Sequence, residues 1–179
     1  LVTVGGTVAV GSSVAVGAGA TGTKIAKTTE AAIGSGVTAT VAGNIQVLAT
    51  ASEDVTSVAA AVAGAGTAAV AGSAGVLIVN VATRAFIGDD PSDAVPSAGA
   101  GNVHATGSIA VNAQDALDVT NVAGSVGAGG GAGIGLAVGV PVVTKTVESF
   151  IGSGAVVTAD GNGQAGLEVA TGGFETTWS

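Results

Sequence analysis

The chain has 179 residues, of which 47% are hydrophobic and only 9% charged, with a formal net charge of −8. Gly, Ala and Val make up more than half of it, while Leu is scarce and Met, Tyr and Cys are absent. This excludes a conventional enzyme core filled by bulky side chains, a low-hydrophobicity disordered chain and collagen, because Gly shows no period of three. Four cations are too few for a nucleic-acid surface or a polybasic membrane anchor. The absence of Cys removes disulfides and thiolate metal sites and fits an exported chain.

The chain opens in a strand pattern, Leu1-Val2-Thr3-Val4, with no basic and apolar leader ahead of it. We expect either a processed leader or a piece of a longer polypeptide. Thr7-Val8-Ala9-Val10-Gly11 alternates large and small residues, the period of two that marks a strand. Residues 1–23, 55–83 and 119–144 carry no charge, and each block is followed by a mixed polar one. Such runs are long enough for a membrane helix, but their Gly content disfavours helix by about 1 kcal/mol per residue. Ile134-Gly135-Leu136-Ala137-Val138-Gly139-Val140-Pro141-Val142 alternates strictly, which selects strand. No membrane span is expected. A transmembrane barrel is disfavoured too, because aromatic girdles are missing.

Internal repetition organises the rest. Ala32-Ile33-Gly34 returns as Phe86-Ile87-Gly88 and as Phe150-Ile151-Gly152. Asp54-Val55-Thr56-Ser57-Val58-Ala59 returns as Asp118-Val119-Thr120-Asn121-Val122-Ala123. The two anchors agree on a unit of about 54 residues with one excess of ten. The excess falls on residues 89–98, which hold two of the three prolines and Asp89, Asp90 and Asp93, so it reads as an inserted surface loop. The chain is then a single repetitive β domain, 1–179, of three copies: 1–54, 55–118 with the insert, and 119–179. In the third copy, Asp160-Gly161-Asn162-Gly163 adds a few turn-forming residues before Leu167-Glu168-Val169.

Repeated strands with small side chains predict an all-β fold, a β-solenoid like a parallel β-helix, in which successive coils stack about 4.8 Å apart. Each coil would present two faces of about 20 residues, roughly 60 Å if fully extended. The alternative is an antiparallel β-sandwich subunit of a strand-complemented fibre. No charged or helical cap is evident at either end, so the open edges call for cover by more of the same chain or by other copies.

The phrase Val79-Asn80-Val81-Ala82-Thr83-Arg84-Ala85-Phe86-Ile87-Gly88-Asp89 resembles a recurrent phrase of giant secreted bacterial adhesins. These include filamentous haemagglutinin-like exoproteins, autotransporter passenger domains and leukotoxin-like filamentous adhesins. Thr144-Lys145-Thr146-Val147-Glu148-Ser149-Phe150-Ile151-Gly152-Ser153-Gly154 repeats it, and Gly43-Asn44-Ile45-Gln46-Val47 and Gly107-Ser108-Ile109-Ala110-Val111-Asn112-Ala113 fit as linking phrases. The resemblance implies a β-helical extracellular stalk or fibre at the bacterial surface, and it carries over no catalytic residues. The insert and the short length depart from a complete adhesin.

The residues argue against chemistry. His104 is the only histidine, and no nucleophile-elbow motif accompanies it. We expect no catalytic, cofactor or metal site. Asp89, Asp90 and Asp93 offer hard oxygens for Ca²⁺, but a solvated loop accounts for them. Asp160-Gly161-Asn162-Gly163 reads as turn chemistry. Gly127-Ala128-Gly129-Gly130-Gly131-Ala132-Gly133 matches a dinucleotide loop only loosely and lacks the helix and acid that go with one. Polysaccharide-lyase chemistry would need clustered acids, cations and aromatic platforms, whereas the only Trp is Trp178. Lys27 and Lys145 are equivalent, as are Glu30 and Glu148, and Arg84 takes the middle place. Stacked coils would set Arg84 between the two glutamates as a charge ladder that fixes register, worth at most about 1 kcal/mol if exposed. The expected function is that of a structural segment of a bacterial extracellular filament or adhesin stalk, with itself as partner. The alternative is an adhesive module that binds a host or surface glycan through residues 89–98.

Overall fold

The computed structural model describes residues 1–91, 101–162 and 167. The described residues form nine strands and no helix: β1 (Val2–Gly11), β2 (Val14–Gly34), β3 (Thr38–Val41), β4 (Ile45–Ala65), β5 (Ala68–Gly88), β6 (Asn102–Ala105), β7 (Ile109–Gly129), β8 (Ala132–Ile151) and β9 (Val156–Ala159). They make three sheets, ordered β1-β4-β7, β2-β5-β8 and β3-β6-β9, so every third strand pairs and each three-strand set is one coil. The pairing is parallel. This is the β-solenoid of three repeats, and the antiparallel sandwich is excluded.

Register follows the repeat. Val2 pairs with Thr56 and Gly11 with Ala65. Thr38 pairs with Asn102, and Asn102 in turn with Val156. The offset is therefore 54 residues between β1 and β4, 64 between β3 and β6, and 54 again between β6 and β9. The ten extra residues lie between β5 and β6, where the sequence places the insert. A slip of one residue would turn every inward side chain outward, so the insert is accommodated only at a corner. Residues 92–98 of it lie outside the described residues. The chain enters the insert at Gly88, whose φ of 102° is a left-handed conformation that a side chain would strain.

Two compact units result, and they differ in how many walls enclose the interior. The first comprises Leu1–Lys27, Ser52–Val81 and Leu117–Lys145. Here two sheets face each other, and corners at Ser12-Ser13, Gly66-Thr67 and Gly130-Gly131 carry the chain from one to the other. Those corners stack by backbone bonds, Thr67 N to Ser13 O at 3.0 Å and Gly131 N to Thr67 O at 2.9 Å. The interior near the corners is nearly all alanine: Ala15, Ala61, Ala63, Ala69 and Ala71 are buried together. Further along, Val55, Leu77, Val79 and Val81 form a second cluster. The sheets approach so closely that a Cβ on Gly19 would lie 2.6 Å from the Ala60 carbonyl oxygen. Only glycine fits there.

The second unit comprises Thr28–Ala51, Ala82–Ala116 and Thr146–Ser179. It contains the third sheet, and three walls enclose a wider space than two. Ile45, Val47, Ala49, Ala85, Ile87, Val103 and Ala105 are buried there in one cluster drawn from β4, β5 and β6. Phe86 and Phe150, equivalent in the repeat, stack with centroids 5.2 Å apart and ring planes 2° from parallel.

The glycine requirement is local. Gly19→Val should push the two sheets of the first unit apart and lower stability by about 1–3 kcal/mol. Gly22, with open space where its Cβ would stand, should accept alanine without loss. Thermal unfolding of the two variants side by side checks this, and equal Tm values would refute the close-approach argument.

Candidate functional site: open edges and an apolar exterior

Among the described residues, parallel stacking leaves two coils with one unpaired side each. β1, β2 and β3 are the outer strands on one side and β7, β8 and β9 on the other. Each outer strand presents a row of amide and carbonyl groups able to pair with another strand. Among the described residues no helix covers either side.

Near the corners of the first unit the inward positions hold mostly Ala, while branched aliphatics recur at outward positions. Val4, Val58 and Val122 form one outward column, and Val8, Val62 and Val126 a second. On the facing sheet, Val16, Val70 and Ile134 do the same. Val8 is 75% exposed, Val126 60% and the central Val62 44%, so stacking itself shields the outward column. The only charged residues of this unit are Lys24, Lys27, Glu53, Asp54, Asp118 and Lys145. These valines leave an exposed apolar exterior on the first unit.

The interior of this unit holds polar atoms with no partner. The Ser57 and Ser125 hydroxyls and both amide atoms of Asn121 are buried and make no hydrogen bond among the described residues. By contrast, Ser73 Oγ donates to the Gly124 carbonyl at 3.0 Å, and Thr7 Oγ1 to the Ala18 carbonyl at 2.6 Å. Lys27 and Glu53 form an ion pair in which the glutamate is buried.

In the second unit the third coil leaves the core unsealed. An open, mostly apolar recess of about 470 Å³ is lined by Ile109, Val111, Phe150, Ile151, Val157 and Ala159, with Ser149 at its edge as a polar member. It is the same interior that β4, β5 and β6 close in the middle coil.

Sequence-predicted residues take structural places. Arg84 reaches Glu148 at 3.0 Å, the contact that the charge ladder predicts. Its shorter partner is Asp90 in the insert, at 2.7 Å, which the repeat pattern does not reveal because the insert has no equivalent in the other copies. The Arg84 and Asp90 side chains are only 16% and 7% exposed. The ladder contact to Glu148 stays half exposed on the glutamate side, at 45%, and beside it stands a largely buried ion pair with Asp90 that ties the insert to β5. An Asp90 oxygen is engaged with the guanidinium, while Asp93 lies outside the described residues. Among the described residues no group of three or more His, Asp or Glu is placed to hold a metal ion.

His104, on β6, faces Asp160 at 3.3 Å in a half-exposed pair between adjacent coils. Gly161 has φ 68°, as its turn role requires, and Gly163 and Trp178 lie outside the described residues. The glycine run 127–133 spans the corner between β7 and β8, so its glycines serve a two-residue corner between strands. Asn44 is a contact that the sequence marks only as part of a linking phrase: its Oδ1 accepts the Ser108 N–H of the next coil at 2.8 Å. Among the described residues no helix is long and apolar enough to cross a membrane.

Compared with known proteins, the chain matches no family model, no curated protein and no solved structure. The likeness to adhesin repeats rests on the residues quoted above.

Two outcomes follow from this geometry. Arg84→Glu leaves Asp90 buried beside a like charge and should cost about 3 kcal/mol, with Arg84→Lys retaining part of the loss. Denaturant titration measures it, and a change below about 0.5 kcal/mol would contradict the buried pairing. Val62→Lys places a charge in the middle of an outward column. It should reduce binding of an apolar-surface dye while leaving stability within about 1 kcal/mol, and unchanged dye fluorescence would mean the column is not an accessible apolar face.

Proposed function

We propose that this chain is a structural, fibre-forming protein: a β-solenoid segment of a bacterial extracellular filament or adhesin stalk. Its work is mechanical. Each coil templates the next through a continuous parallel ladder, and the outer strands pair with further coils of the same kind. What carries the reading is that both outer coils leave their strand edges unpaired, with no cap among the described residues. A monomer that leaves such edges open is prone to edge-to-edge association, and a fibre puts them to use. The small side chains packed near the corners and the long uncharged runs 1–23, 55–83 and 119–144 support the same reading, since they suit repetition and offer little for recognising a soluble ligand.

Electron microscopy and fibre diffraction of the purified 179-residue chain test it. The expected result is filaments that lengthen with concentration and give a repeat of about 4.8 Å along the axis. Discrete particles that do not grow at any concentration would overturn the reading.

A further inference from the structure

We infer that the first unit stacks on a second copy of this chain head to tail and in one register: Thr120–Gly129 of β7 against Val2–Gly11 of β1. The inference rests on the fibre reading above and adds polarity and register to it.

Three observations carry it. The first is the repeat itself. Val2–Gly11 pairs with Thr56–Ala65, and Val55 and Val119 are equivalent. The next step of the same series places residue 2 of a following copy beside residue 120. Second, the outward columns continue across that step with matching residues. Val122 meets Val4, Gly124 meets Gly6 and Val126 meets Val8. These are the columns already formed inside the chain by Val4 with Val58 and Val8 with Val62. Third, an inward polar column continues across the same step. Asn121 follows Thr3 and Ser57 in an inward column, and Ser125 follows Thr7 and Ala61. The Asn121 amide and the Ser125 hydroxyl are buried without a hydrogen bond among the described residues. In this register the next copy sets the Thr3 hydroxyl beside Asn121 and the Thr7 hydroxyl beside Ser125. Stacking two like ends face to face, about a two-fold axis, would pair β7 with β7 in antiparallel fashion and break all of these columns.

Two features oppose the contact and shape how it behaves. Lys145 comes to lie beside Lys27, a like charge already paired with Glu53 within its own chain, so added salt should change stacking by less than about twofold. Pro141 has no amide hydrogen to give and sits on the outer strand β8. The β7–β1 contact therefore fixes the register.

The absence of Cys in the chain allows a background-free test. In the proposed register, residue 126 of one copy adjoins residue 8 of the next at the spacing of neighbouring strands, about 4.8 Å, within disulfide reach. Within one chain the same residues sit two coils apart and cannot bridge. V8C/V126C should give, on mild oxidation, a ladder of covalent oligomers. V8C/V122C, displaced by four residues or about 13 Å, should remain at least tenfold less cross-linked. Products that stop at dimers, or equal ladders from both pairs, would overturn the register. If filaments form but neither variant cross-links, the register fails and the fibre reading stands. If neither filaments nor ladders form, both fail.

Discussion

The constraint on which everything else depends is the in-register parallel ladder between coils. Residues of a middle strand bond alternately to the strand before and the strand after, and each stays level with its equivalents in both, so coil length cannot drift inside a strand. This explains why the offset returns to 54 residues between β6 and β9 after stepping to 64 between β3 and β6. Extra residues are tolerated only where no ladder runs, and the corner after Gly88 is such a place. The ladder also explains the pairing of Arg84 with Asp90. A loop that leaves the coil needs an anchor where it departs, and the guanidinium of the middle strand reaches across 2.7 Å to supply one.

Much of the fold was legible because a ladder imposes its period on the sequence. Two anchors, Val55 with Val119 and Ile33 with Ile87 and Ile151, are enough to give the unit and locate the insert. The strict alternation around Leu136 and Val138 identifies strand over helix. The division into a two-walled and a three-walled unit was not legible. A period of two says that one face is inward but not how many sheets share that interior. Residue size does not reveal it either: alanines fill the first unit at 61, 63, 69 and 71 but give way to Leu77 and Val79 further along, and the second unit mixes Ile45 and Ile87 with Ala85 and Ala105. Asp90 was also hidden, since an inserted residue has no equivalent from which a column can be built.

The polar interior shows how size outranks polarity in such a fold. Between two close sheets the space admits Ala, Gly, Ser or a flat amide, and Ser57 is completely buried there. A buried hydroxyl or amide without a partner costs about 1–3 kcal/mol. That cost is met in the middle coil as well as the last: Ser57, flanked by Thr3 and Asn121 in its column, has no hydrogen-bond partner among the described residues, and neither have Asn121 and Ser125 in β7.

The exterior supplies a driving force in the same direction. β-Branched residues are favoured in strands whatever their exposure, which accounts for isolated outward valines but not for their alignment. Once aligned, each valine shields its neighbours in the column. The fall from 75% exposure at Val8 to 44% at Val62 measures that shielding on passing from an outer to a middle coil. Burial of a whole valine side chain is worth about 1.5–3 kcal/mol, so shielding a third of one contributes roughly 0.5–1 kcal/mol. Two outward columns on one sheet and others on its facing sheet therefore add several kcal/mol per coil, beyond the backbone ladder and without closing any new core. Growth along the coil axis draws on both terms at once. Lateral contact through the same valines draws only on the second, which favours lengthening over bundling.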